Sequence, residues 1–363
     1  PAYQRLYEYF TESYLPACAD EIGASSLPNG KAFYEYLVRR FTTTTMTPDE
    51  VHEIGLAEVA RIRAEMKQVM NEVNFEGTLT EFFTFLREDP QFYFDDPMAL
   101  LREYQAVSKQ IDPKIVQLVT KLPRMPYGIK VIPEAVAPDT TTAYYSRPAA
   151  DGSRPGYYWV NLYEPRSRPK FEIEVLTVHE AVPGHHLQIA LQQELEALPN
   201  FRRYSGYTVF TEGWGLYSER LGYDIGLYQD PYSKFGQLSY DMWRAVRLVV
   251  DTGMHYKGWT RDQAIEFFVD NAPKSRLDIV NEIDRYISWP GQALAYKVGQ
   301  LSISSLREKA TKALGADFDL RRFHDRLLSQ GAIPLSLLET LIADWIESER
   351  ERLAEETSLL SSG

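Results

Sequence analysis

The chain has 363 residues, 44% hydrophobic and 25% charged, the proportions of an ordinary globular protein with enough length for a large core. A formal net charge of −12, with no Lys/Arg-dense patch, argues against nucleic acid as a partner. A single cysteine, Cys18, excludes an internal disulfide framework, and no apolar run approaches the roughly 18 residues a membrane-spanning helix needs. The chain begins at Pro1 rather than Met, so a processed or cut N-terminus is expected. That leaves the cell envelope or periplasm, with an export signal removed, and the cytoplasm as alternative compartments.

In chain order, the aromatic-rich opening is broken by the turn signal Leu27-Pro28-Asn29-Gly30, after which Lys31–Arg40 reads as a short helix or ordered loop. Thr47-Pro48-Asp49-Glu50 is a capping box with Pro at the first helical position, predicting a helix to about Asn74. His52-Glu53 within it lacks a second His and reads as part of a solvated face. Further helices are predicted over Thr80–Arg87, after Asp96-Pro97 and after Asp112-Pro113. From Lys121 the texture changes. Prolines cluster, and Ile129–Ile132, Thr140–Tyr145 and Gly156–Leu162 favour strands, with Ala149–Ser153 as a turn. The expectation is a small antiparallel sheet of two or three strands. Helices resume from Glu172: Tyr240–Tyr256, with Arg247 and Asp251 as a default i,i+4 pair, a segment opened by the Thr260–Gln263 capping box, one from Gln292 to Gly315, Asp319–Gln330, and Leu335–Glu356. The division expected is an N-terminal helical part, 1–120, and a catalytic part, 121–363, with the sheet in 121–165, together forming one continuous catalytic domain.

The chemistry concentrates in His179-Glu180-Ala181-Val182-Pro183-Gly184-His185-His186, which holds three of the six histidines in the chain. Two imidazoles and an adjacent carboxylate are what a zinc-hydrolase helix requires, yet the spacing departs from HExxH. On an unbroken helix position 185 lies about 120° around from 179, and 186 about 10 Å along the axis. Pro183-Gly184 predicts a local bulge that brings His185 into place, with His186 held in reserve. A third ligand is expected from Glu212, a carboxylate embedded among Phe210, Trp214 and Leu216 that would be costly to bury unpaired. Glu219, two turns on, is placed to orient a ligating His from behind.

HExxPGHHxQ followed by EGWxxYxE resembles the bacterial family called domain of unknown function 885, whose members resemble gluzincin-type zinc metallopeptidases such as carboxypeptidase Taq, thimet oligopeptidase and angiotensin-converting enzyme. The Gly184-His185 step matches the Gly-His of HExGH-like motifs and favours His185. RxVRLVVDTGMHxxGWT and PGQALAYKxG extend the likeness over most of the chain, and because relatives are usually longer at the N-terminus, a catalytic portion of a longer protein is expected. The resemblance implies a mainly α, helical zincin-like fold with the sheet beside the metal helix. It also implies a substrate-pairing edge strand, here Tyr157–Asn161 with Tyr157, Tyr158 and Asn161 as contacts. A Tyr or His on a later helix is implied as donor to the developing oxyanion, with His255 and Tyr296 as candidates.

The expectation is therefore one Zn²⁺ held by His179, His185 and Glu212, with Glu180 as the general base and acid. The function expected is a zinc metallopeptidase of carboxypeptidase or oligopeptidase type, acting on short or unfolded peptides. Arg244 and Arg247 are placed to hold a substrate carboxylate. Two alternatives stand beside this: a zinc hydrolase of other amides or esters, and a non-catalytic metal-binding scaffold, against which the presence of Glu180 argues.

Overall fold

The computed structural model describes residues 1–361. Helices dominate. The N-terminal portion contains α1 (Ala2–Tyr9), α2 (Gly30–Thr42), α3 (Pro48–Glu72), α4 (Leu79–Glu88) and α5 (Pro97–Ile111). Thr47 and Thr78 each close a capping box at the start of α3 and α4, satisfying backbone N–H groups that the helix cannot.

Three strands follow: β1 (Tyr127–Val131), β2 (Ala143–Ser146) and β3 (Gly156–Val160), in spatial order β1-β3-β2. The turn expected at Ala149–Ser153 is present, with Gly152 N–H bonded to Ala149 O at 3.0 Å, and it sets β2 antiparallel to β3. β1, however, pairs with β3 in parallel. The sheet is therefore mixed, not antiparallel, because residues 132–142 carry the chain across before β2 begins.

The remaining helices are α6 (Ile173–Glu180), α7 (His185–Gln193), α8 (Asn200–Tyr204), α9 (Thr208–Asp224), α10 (Pro231–His255), α11 (Arg261–Val269), α12 (Arg276–Ser288), α13 (Ala295–Leu314), α14 (Leu320–Leu328) and α15 (Leu335–Ser361). The apolar core is continuous from Ala24 to Ile346. α10 runs through its middle, buried at every position from Phe235 to His255. Such a helix has no polar face to give to water, so its charged residues need partners inside. Asp241 receives Lys297 Nζ at 2.6 Å and Arg61 Nη2 at 2.9 Å, while Lys297 also reaches Glu58 at 2.8 Å. Asp251 accepts from Tyr34 Oη at 2.5 Å and from Gly291 N–H at 3.0 Å. It is not the partner of Arg247, which turns to Glu282 at 3.0 Å. His52, too, differs from its reading as solvated: it is buried, with Nδ1 2.8 Å from Thr252 Oγ1, because α3 packs flat against α10.

Candidate metal centre

The helix that carries His179 and Glu180 ends outright after Glu180. Residues 181–184, with a cis Val182–Pro183 bond, form a tight link, and α7 opens at His185. Two helices thus replace the single bulged helix expected. The link is pinned from both sides. Gly184 N–H bonds to Val178 O at 2.9 Å, and the indole of Trp214 donates to Pro183 O at 2.8 Å. A Cβ at Gly184 would stand 1.9 Å from His179 O, so no larger residue fits this turn.

The result brings His179 Nε2 to 3.8 Å and His185 Nε2 to 3.3 Å from Glu212 Oε2. Ligand atoms of the three residues lie within 4.8 Å of one another. Atoms bound about 2 Å from one tetrahedral ion sit roughly 3.3 Å apart, so the three side chains fit a single small divalent cation. Gly215 makes the approach possible, since a Cβ there would lie 2.9 Å from His179 Cε1 and 3.0 Å from His185 Cε1. Behind the imidazoles, Glu219 Oε1 accepts from His179 Nδ1 at 2.8 Å, which turns Nε2 forward. Burial opposes a charge on His179, but Glu212 and Glu219 outweigh it and hold its proton up to about 9. Burial likewise opposes the Glu212 carboxylate, yet His185 and His179 keep it well below the usual carboxylate range. The potential here favours cations.

His186 is not available as a reserve ligand. One residue on, it faces away, with Nδ1 2.9 Å from Tyr145 Oη and Nε2 3.0 Å from Met125 O. Desolvation lowers its pKa to about 4, so it is a neutral tie between α7 and the sheet.

The centre opens into a cleft of about 360 Å³ whose walls include Glu180, Tyr296, Arg244 and Arg247. Glu180, next to His179 in the chain, is buried and borders the same cleft as both imidazoles. Tyr296 keeps its proton: burial and then the Glu212 charge raise its pKa. His255 is excluded from this role. It lies outside the cleft, fully buried, with Nδ1 accepting from Ala24 N–H and Nε2 donating to Tyr286 O, each at 3.0 Å.

The strand beside the cleft is also a correction. β3 is central, so Tyr157–Asn161 has no free edge to offer. Tyr158 is fully buried against Tyr104, and Tyr157 lies under Lys130 Nζ at 4.0 Å. Asn161 is buried and spends its amide on Ala137 O and Thr140 O, at 2.8 and 3.0 Å. It thereby fixes the segment leading into β2. β1 and β2 are the edge strands, and Thr141 to Tyr145, leading into and along β2, line the cleft. Glu282 and Arg285 on α12 also line it, although in the sequence they look like an ordinary helical charge pattern.

Among the described residues no helix is long and apolar enough to cross a membrane. No curated protein matches the chain. A crystal structure of a "putative lipoprotein" from Colwellia psychrerythraea is similar over 96% of this chain and 60% of that one, with TM-score 0.93 and 40% identity. A "putative lipoprotein of unknown function" from Shewanella oneidensis is similar over 94% of this chain and 62% of that one, with TM-score 0.73 and 21% identity, a likeness of fold alone. The chain thus spans about 60% of the length of these solved relatives. The model of the bacterial family of unknown function DUF885 matches residues 1–342, so the chain belongs to that family.

Proposed function

We propose that the protein is a zinc-dependent hydrolase, acting as a peptidase on short or unfolded peptides in the manner of gluzincin-type enzymes. The observation that carries this reading is the convergence of His179 Nε2, His185 Nε2 and Glu212 Oε2 on one point, with Glu180 on the wall of the same cleft. Two imidazoles and one carboxylate suit zinc best, and zinc would supply Lewis acidity toward a carbonyl oxygen and toward water. A purely structural site has no use for a carboxylate placed like Glu180. Its role is to take a proton from the attacking water and pass it to the leaving nitrogen. Tyr296, which stays protonated, donates to the oxygen on which charge develops. The free edge of β2 pairs with the substrate backbone, and the narrow cleft admits an extended chain while shutting out folded domains. The relatives described as lipoproteins favour a cell-envelope location.

The test is turnover of a peptide library, an acyl-amide panel and an ester panel by the zinc-loaded protein, before and after chelation. Peptide cleavage that stops with chelator and returns with zinc is the expected result. Turnover confined to the other panels, or none at all, contradicts the peptidase reading.

A further inference from the structure

A second cavity, of about 250 Å³, adjoins the metal cleft, and the two share Thr141, Thr142, Trp243, Glu282 and Arg285 as walls. Trp243, Phe268 and Ile279 give it an apolar lining. Of the charged groups around that lining, most are already matched. Lys274 Nζ lies 2.7 Å from Glu172 Oε2, and Arg285 Nη2 lies 3.1 Å from Glu282 Oε2. Two carboxylates on the wall are left over, Asp139 and Asp278, and among the described residues no cation stands at ion-pair distance from either. Asp139 is exposed and Asp278 half-buried, so both are open to an incoming group. Their backbones are held in place. On either side of Asp139, Ala137 O and Thr140 O accept from Asn161 Nδ2 at 2.8 and 3.0 Å, and Asp278 N–H donates to Ser275 Oγ at 3.1 Å in the first turn of α12.

We propose that this cavity receives the side chain of a lysine or arginine in the substrate, so that the protein cuts basic peptides at a fixed distance from that residue. The proposal rests on the hydrolase reading and adds a specificity to it. An apolar wall with unmatched carboxylates complements an aliphatic stem that ends in a cation, and lysine and arginine carry both. A leucine would leave the carboxylates unpaired, and a glutamate would meet like charge. The net charge of −12 also draws cationic peptides from a distance. Position follows from the shared wall. A peptide paired with the edge of β2 passes Thr141 and Thr142, and its successive side chains point to opposite sides, so one residue is turned into the cavity while its neighbours are not.

The experiment uses the full chain and N-acetyl, C-terminal amide octapeptides of alternating Gly and Ala with one lysine, norleucine or glutamate. Calorimetry on the zinc-free protein is expected to show the lysine peptide bound at least tenfold more tightly than the other two. With zinc bound, mass spectrometry is expected to find the cut at a constant distance from the lysine as that residue is moved along the peptide. Asp139→Asn and Asp278→Asn, with folding checked by circular dichroism, bring the lysine–norleucine ratio toward one, and Asp278→Lys turns the preference toward glutamate. Preferential binding of lysine without any cleavage leaves the cavity assignment standing and sinks the hydrolase reading. Cleavage with equal binding of lysine and norleucine does the reverse. Absent binding of all three, a cut whose distance from the lysine varies, or a preference that neither aspartate variant moves also overturns the assignment. Should the variants fail to fold, the lysine–norleucine ratio of the unaltered protein decides alone.

Discussion

Two buried polar clusters share helices α9, α10 and α13 and their neighbours, and they are built on opposite terms. Around Asp241 and Lys297 the charges are matched at hydrogen-bond distance by Glu58 and Arg61. Around His179 and His185 they are not. His185 Nδ1 and Glu219 Oε2 lack partners, and two imidazole nitrogens face one carboxylate oxygen. Burial does not separate the two, since Asp241 and Lys297 are as deeply buried as His179 and Glu219. What separates them is satisfaction: the first cluster fastens α3 to α10 and α13, and the second has ligand atoms within 4.8 Å of one another that a bound cation would pair. The histidines divide in the same way. His255 and His324 have both ring nitrogens bonded to protein atoms, and His186 does as well.

The contrast breaks most visibly at Glu180. Glu180→Gln is expected to lower peptide turnover roughly 10²–10⁴-fold with zinc content and melting temperature unchanged, measured by steady-state kinetics and metal analysis. Unaltered turnover would return Glu180 to a passive wall residue. In the satisfied cluster the loss is of stability instead. Lys297→Met removes the buried lysine that Asp241 and Glu58 share, leaving both carboxylates to Arg61, and is expected to cost about 3–5 kcal/mol in denaturant unfolding while leaving zinc affinity intact. Equal damage to both properties would merge the two clusters into one.

Orienting effects are smaller. Glu219→Gln weakens the hold on His179 and is expected to reduce zinc affinity about 10–100-fold by competition with a chelator. Acid sensitivity gives the gentlest test. Burial resists ionisation of Asp241, but Lys297 and Arg61 hold its pKa at about 2 against an ordinary value of 3.8. Because the folded value is the lower one, the stabilisation is present above the ordinary value and is lost as pH falls toward about 2. An Asp241→Asn, Lys297→Met double variant is expected to show a shallower fall in stability across that window, followed by circular dichroism. An unchanged slope would detach Asp241 from the account.

The sequence pointed to the candidate metal centre through adjacency and unusual cost: three His in eight positions, and a Glu among large apolar side chains. Helix starts were equally plain, because capping boxes such as Thr47–Glu50 are local. What stayed hidden depended on three-dimensional order. Pro183-Gly184 pointed to His185 rather than His186, but that the helix ends outright and restarts at His185 follows from a backbone path no periodicity specifies. That β3 is central and β2 an edge depends on a crossover, and strand composition does not reveal it. The resemblance implied His255 as an oxyanion donor, yet its ring is consumed by Ala24 and Tyr286, residues distant in sequence. Arg285 and Glu282 have the i,i+3 spacing of any helical ion pair, and only folding turns α12 toward the cleft.

The most direct measurement is metal content after exhaustive dialysis of zinc-loaded protein, for the unaltered chain, His185→Ala and His186→Ala. The account predicts about one zinc per chain in the unaltered protein and in His186→Ala, and none in His185→Ala. Zinc retained by His185→Ala, or lost only with His186, would contradict it.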